Sequence, residues 1–83
     1  MALLERYDRE PGYNPVQLLD TLLGQLHLKN DAALSRVMRV DQSIVSKVRN
    51  RKAPVTACLL LRMHETTRLP VASLRRWMGV PAL

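Results

Sequence analysis

Gln42, Ser43, Ser46 and Lys47 fall at positions i, i+1, i+4 and i+5 of the segment DQSIVSKVRN, so a helix there carries them on one face. Their chemistry is patterned hydrogen bonding. A glutamine carboxamide pairs bidentately with adenine N6 and N7, a serine hydroxyl donates to or accepts from several base edges, and a lysine ammonium donates to guanine O6 and N7. Val45 and Val48 lie on the opposite face and suit a core. Ile44 shares that apolar stripe only in part, which leaves two readings: contact with a thymine methyl group, or partial burial against the preceding turn. The plainer alternative for the polar residues is a solvated helix face.

Cations surround this face. The chain carries a net charge of +6, and its distribution is uneven: residues 1–30 sum to −1, whereas residues 31–83 set ten cations against three acids, for +7. Six of the ten, Arg36, Arg39, Lys47, Arg49, Arg51 and Lys52, lie between residues 31 and 52. Such clustering points to a polyanionic partner bound through counterion release. Asn50, Arg51 and Lys52 follow the polar face and are expected along a phosphate backbone, where they add affinity without sequence information. Lys29 and Asn30, before the next helix upstream, form a second candidate phosphate clamp. Arg39 is assigned to the same role; Arg36 and Arg49 suit either phosphate contact or a solvated surface.

Other chemistries find little support. The three glycines, Gly12, Gly24 and Gly79, make no phosphate-cradling loop, no carboxylates pair within a motif, and His64 beside Glu65 has no placed nucleophile, so no catalytic constellation and no cofactor are expected. His27, Cys58 and His64 have no metal-ligand spacing, and a single cysteine forms no internal disulfide. Cys58, within the apolar run Val55 to Met63, is expected to be a buried small hydrophobe. RNA binding is disfavoured because two tyrosines, one tryptophan and no phenylalanine offer no base-stacking platform. No apolar run spans a bilayer and MALLERYDRE lacks a signal-peptide core, so a soluble, cytoplasmic protein is expected.

Five short helices must position these residues. Residues 1–12 read as a flexible N-terminal arm and residues 13–83 as one domain with an aliphatic core. Asn14-Pro15 starts helix 1, which runs to about Leu28 with Val16, Leu19, Leu22, Leu23 and Leu26 inward and Leu18 off the stripe. Asn30 caps helix 2, about Asp31 to Met38, with Ala33, Leu34, Val37 and Met38 on its apolar face. Asp41 is expected to cap helix 3 through its carboxylate, and that helix runs from about Gln42 to Asn50. Pro54 suits the first turn of helix 4, which carries Val55, Leu59, Leu60 and Met63 to near Arg68. Helix 5 holds Val71, Leu74 and Met78 and stops at Gly79 and Pro81.

The phrase VDQSIVSKVRNRKAPV resembles the form V-S-Q-S-x-V-S-x-[apolar]-x-N-G-x-x-P of the lambda-repressor-like (Cro/cI, xenobiotic-response-element type) helix-turn-helix regulators. The resemblance covers about residues 14–68 and is strongest from Leu34 to Pro54. It implies a compact all-α domain with a central helix-turn-helix, a recognition helix in the DNA major groove, and often a two-fold dimer on a palindrome. It also implies that Gln42 and Ser43 make the first base contacts, with Ser46 and Lys47 next. Two positions depart from the pattern. Arg39 and Arg51 stand where the family commonly has glycine, at sites that are often left-handed and would cost a non-glycine residue about 1 kcal/mol. Ser35 for the usual alanine is a milder change.

The expected function is sequence-specific binding of double-stranded DNA by a small Cro-like transcriptional regulator, a repressor acting as a homodimer in a prokaryote or phage. The alternative is a DNA-binding antitoxin or adaptor that acts by gripping a protein partner. Leu74, Trp77 and Met78 admit two readings, a dimer surface or a lid over the domain's own core.

Overall fold

A computed structural model describes residues 11–80 as five helices with no strand. They are α1 (Pro15–Gln25), α2 (Asp31–Met38), α3 (Gln42–Arg49), α4 (Ala57–Thr67) and α5 (Val71–Met78). The expected arm, residues 1–12, falls almost wholly outside the described residues, as does Pro81.

Local chemistry sets most helix starts. The Asn14 side-chain oxygen accepts from the Gln17 amide at 3.1 Å, the Asn30 oxygen from Ala33 at 2.9 Å, and the Thr56 hydroxyl from Leu59 at 3.2 Å. The Thr56 cap places the start of α4 at Ala57, later than Pro54 suggests. Val55 instead anchors the loop before it: it is fully buried, and its amide donates to the Tyr13 hydroxyl at 3.2 Å. Asp41 departs from expectation as well. It precedes α3, but its carboxylate makes no capping bond; the Ile44 amide donates to the Asp41 backbone carbonyl instead, at 3.0 Å.

Helix ends share one device. The Leu28, Val40, Lys52 and Val80 amides each reach back five residues, to the carbonyls of Leu23, Ser35, Lys47 and Arg75. Each such closure puts the preceding residue in the left-handed region. Only the last uses glycine, Gly79 at φ 86°; the others use His27 at 56°, Arg39 at 58° and Arg51 at 60°. Arg68, leaving α4 at φ 61°, is a fourth strained residue. The closure at His27 ends α1 at Gln25, short of the expected Leu28. Gly79 has a second constraint, since a Cβ there would collide with the Gly12 carbonyl oxygen.

The core is aliphatic, as composition implies, and among the described residues Tyr13 is its one buried aromatic. Leu18, Leu19, Leu22, Leu34, Met38, Val45, Val48, Val55, Leu60, Met63, Leu74 and Met78 are all buried. Leu18 joins them against expectation because α1 packs against α5, α3 and α2 at once, which widens its buried arc beyond one stripe. Val37 is 45% exposed, a correction to its expected inward position: α2 is covered by Leu34, Ser35 and Met38, and Val37 lies at the margin. Ser35 tolerates burial by donating its hydroxyl proton to the Ala32 carbonyl at 2.7 Å. Cys58 is exposed rather than buried, since α4 turns Leu60 and Met63 inward.

α5 overturns the dimer-surface reading of its apolar face. Leu74 and Met78 are fully buried and Trp77 packs partly buried against the same core, because α5 lies on both α1 and α4. The Asn14 amide donates to the Met78 carbonyl at 2.6 Å, fastening the end of α5 to the start of α1.

Candidate nucleic-acid interface

α3 presents a polar face because its two valines are taken by the core. Val45 and Val48 are 2% and 1% exposed, whereas Gln42, Ser43, Ser46 and Lys47 are all exposed. The side chains of Gln42, Ser43 and Lys47 make no hydrogen bond to any described residue. Ile44 is 40% exposed and lines an apolar groove with Val40, Pro54, Cys58 and Leu59, whose volume is about 360 Å³. This is the expected partial burial against the turn, with the rest of the Ile44 side chain facing outward.

The flanking cations divide between the two ends of α3. At its C-terminal end, Asn50, Arg51 and Lys52 follow Arg49, the last residue of α3, which contacts Asp31, the residue directly after Lys29 and Asn30. Arg39 lies at the other end, in the three-residue connection from α2 to Gln42, exposed and left-handed. The candidate phosphate residues thus bracket the polar face.

Several of these side chains have structural work inside the fold. The Asn50 carboxamide donates to the Ser46 carbonyl at 2.9 Å and approaches the Ser46 hydroxyl at 3.5 Å, so it caps its own helix. Asn30 likewise spends its side-chain oxygen on the α2 cap. Arg51 donates to the Tyr13 carbonyl at 3.3 Å and sits 6.0 Å above the Tyr13 ring. Lys29, Lys52 and Arg39 are the exposed candidates with no such side-chain bond to the described residues.

Arg49 is held more firmly than any of them. Its Nε and Nη2 donate to the two Asp31 oxygens at 2.6 and 2.8 Å, and its Nη1 donates to Asp20 on α1 at 2.8 Å. The Asp31 hydrogen bond, with a smaller contribution from Asp20, raises the guanidinium pKa above its ordinary value; partial burial acts in the opposite direction. Neither carboxylate carries a sequence signal for this role. Asp20 is 29 residues from Arg49 and Asp31 is 18, and helix breaks lie between them, so no periodicity within one helix connects them.

Comparison with protein-family models, curated proteins and solved structures returned no match. The face must be read from its own geometry: hydrogen-bonding side chains on one short helix, apolar support behind it, and cations at both ends. Among the described residues no group of three or more His, Cys, Asp or Glu could hold a metal ion, and no helix is long and apolar enough to cross a membrane.

Proposed function

We propose that the chain is a sequence-specific double-stranded DNA-binding transcriptional regulator, with α2 and α3 acting as a helix-turn-helix and α3 reading the major groove. The observation that carries this reading is the division of α3: valines buried behind, and Gln42, Ser43, Ser46 and Lys47 exposed in front. An α-helix fits the major groove, where these side-chain types distinguish base pairs. Lys29, Lys52 and Arg39 supply the phosphate contacts on either side, in a region whose positive charge favours any polyanion. A small Cro-like repressor, binding a palindrome as a homodimer in the cytoplasm, fits this economy. Its activity is binding rather than catalysis.

Selection of bound sites from a random duplex library, at about 150 mM salt to suppress non-specific binding, tests the reading. Enrichment of a palindrome with half-sites about one helical turn apart supports a dimeric regulator. Absence of any enriched sequence defeats it.

The groove beside Ile44 favours a second reading, an antitoxin or adaptor that grips a protein partner. Exposed apolar surface in a concave site is a common docking feature. A stoichiometric partner copurifying from the native cell, lost on Ile44→Asp, would support it.

A further inference from the structure

Arg49 is the one cation of the α3 segment that the structure turns wholly to internal use. Three of its guanidinium nitrogens are committed, two to Asp31 and one to Asp20, and its side chain is 26% exposed. The geometry with Asp31 is bidentate, the arrangement in which arginine fixes direction as well as distance. One side chain at the end of α3 therefore grips both neighbouring helices: Asp31 is the first residue of α2, two residues after Lys29, and Asp20 lies midway along α1 on its exposed side.

The two carboxylates matter because of where they are. Together with Asp41 they are the only acids between residues 11 and 64, so a polyanion approaching this face meets little other repulsion. Asp31 comes two residues after Lys29 and pairs with Arg49, three residues before Lys52. Left unpaired, it would oppose a phosphate held by those lysines. Paired, both of its oxygens accept from Arg49, whose positive charge lies 2.6 Å away and screens the carboxylate. Arg49 thus does for the interface what an exposed arginine could not: it sets the direction in which α3 leaves the core and removes the acid that would repel the ligand.

Resting on the DNA-binding reading, we propose that Arg49 is a positioning residue that screens Asp31 from the DNA backbone and fixes α3 to α1 and α2, and that it is not itself a phosphate ligand. The consequence is specific. Removing Arg49 should harm binding through the acid it exposes, so removing that acid as well should restore binding.

The test compares wild type, Arg49→Gln, Asp31→Asn and the double variant Asp31→Asn/Arg49→Gln. Affinity for the selected duplex is measured across salt concentrations, well below each variant's unfolding midpoint. Arg49→Gln should bind about fivefold to tenfold more weakly, the scale of one exposed charge pair a few ångströms apart. The double variant should recover to within about threefold of wild type, and the salt slope should stay unchanged because no phosphate contact has been lost. Asp31→Asn alone, with Arg49 still anchored by Asp20, should bind at least as tightly as wild type, and this variant decides the matter if Arg49→Gln fails to fold. A double variant as weak as Arg49→Gln, a slope reduced by about 1, or weaker binding by Asp31→Asn would each overturn the proposal. If wild type selects no sequence, the DNA-binding reading fails and the proposal falls with it; if wild type selects a sequence but rescue fails, only the role of Arg49 is lost.

Discussion

The Tyr13 hydroxyl oxygen accepts the Val55 amide proton at 3.2 Å, joining residues 42 apart in the chain and pinning the α3–α4 loop to the segment before α1. Val55 has no solvent exposure, so its amide has no access to water if that oxygen is removed. Tyr13→Phe should therefore cost about 1–3 kcal/mol, the desolvation penalty of an orphaned buried donor. For a domain of this size that is a fall in unfolding midpoint of about 4–8 °C per kcal/mol, measured by circular dichroism. A midpoint unchanged within error would show that the contact carries no stability.

The left-handed arginines separate stability from binding. Arg39→Gly and Arg68→Gly should each relieve strain and stabilise the fold by about 1 kcal/mol, seen in urea unfolding. Arg39→Gly should also weaken DNA binding, because an exposed cation beside Gln42 is lost, while Arg68→Gly should leave binding unchanged. A gain from Arg51→Gly should be smaller, since it forfeits the bond to the Tyr13 carbonyl. Equal effects of Arg39→Gly and Arg68→Gly on affinity would remove Arg39 from the interface.

α5 should behave as core. Leu74→Ala and Met78→Ala should each cost about 2–5 kcal/mol, the usual range for large-to-small changes in a packed interior. The loss should appear as a lower denaturant midpoint that is independent of protein concentration. A variant that kept full stability and changed only its sedimentation behaviour would restore the dimer-surface reading of this helix.

Lys52 and Lys29 should act as phosphate contacts. Lys52→Ala should weaken binding to all sequences alike and lower the salt slope by about 1, and Lys29→Ala should do the same. Titration of a selected and a scrambled duplex by fluorescence anisotropy measures both quantities. A loss confined to the selected duplex would make either lysine a base reader.

Much of the fold was legible because helix breaks and caps are local. Asn14-Pro15, Asn30 and Gly79 mark their boundaries through side-chain or backbone chemistry within a few residues. The inward valines of α3, and hence its outward polar face, follow from spacing alone. What escaped was whatever depends on neighbours. Leu18 is buried because three helices surround α1, and Val37 is exposed because α2 is covered on a narrower arc; for Leu74, Trp77 and Met78 the sequence offered two readings, and packing bears out the lid over the domain's own core. The Asp31–Arg49–Asp20 cluster escaped for the same reason: three charged residues on three helices share no period, and only packing brings them together.

Gln42 tests the central claim most directly. Wild type and Gln42→Ala are compared on the selected duplex and on its complete set of single-base-pair variants at about 150 mM salt. Gln42→Ala should lose about 1–3 kcal/mol on the selected duplex and lose discrimination at one base pair of each half-site, with preferences elsewhere unchanged. An equal loss on every duplex, or none on any, would contradict sequence reading by the exposed face of α3.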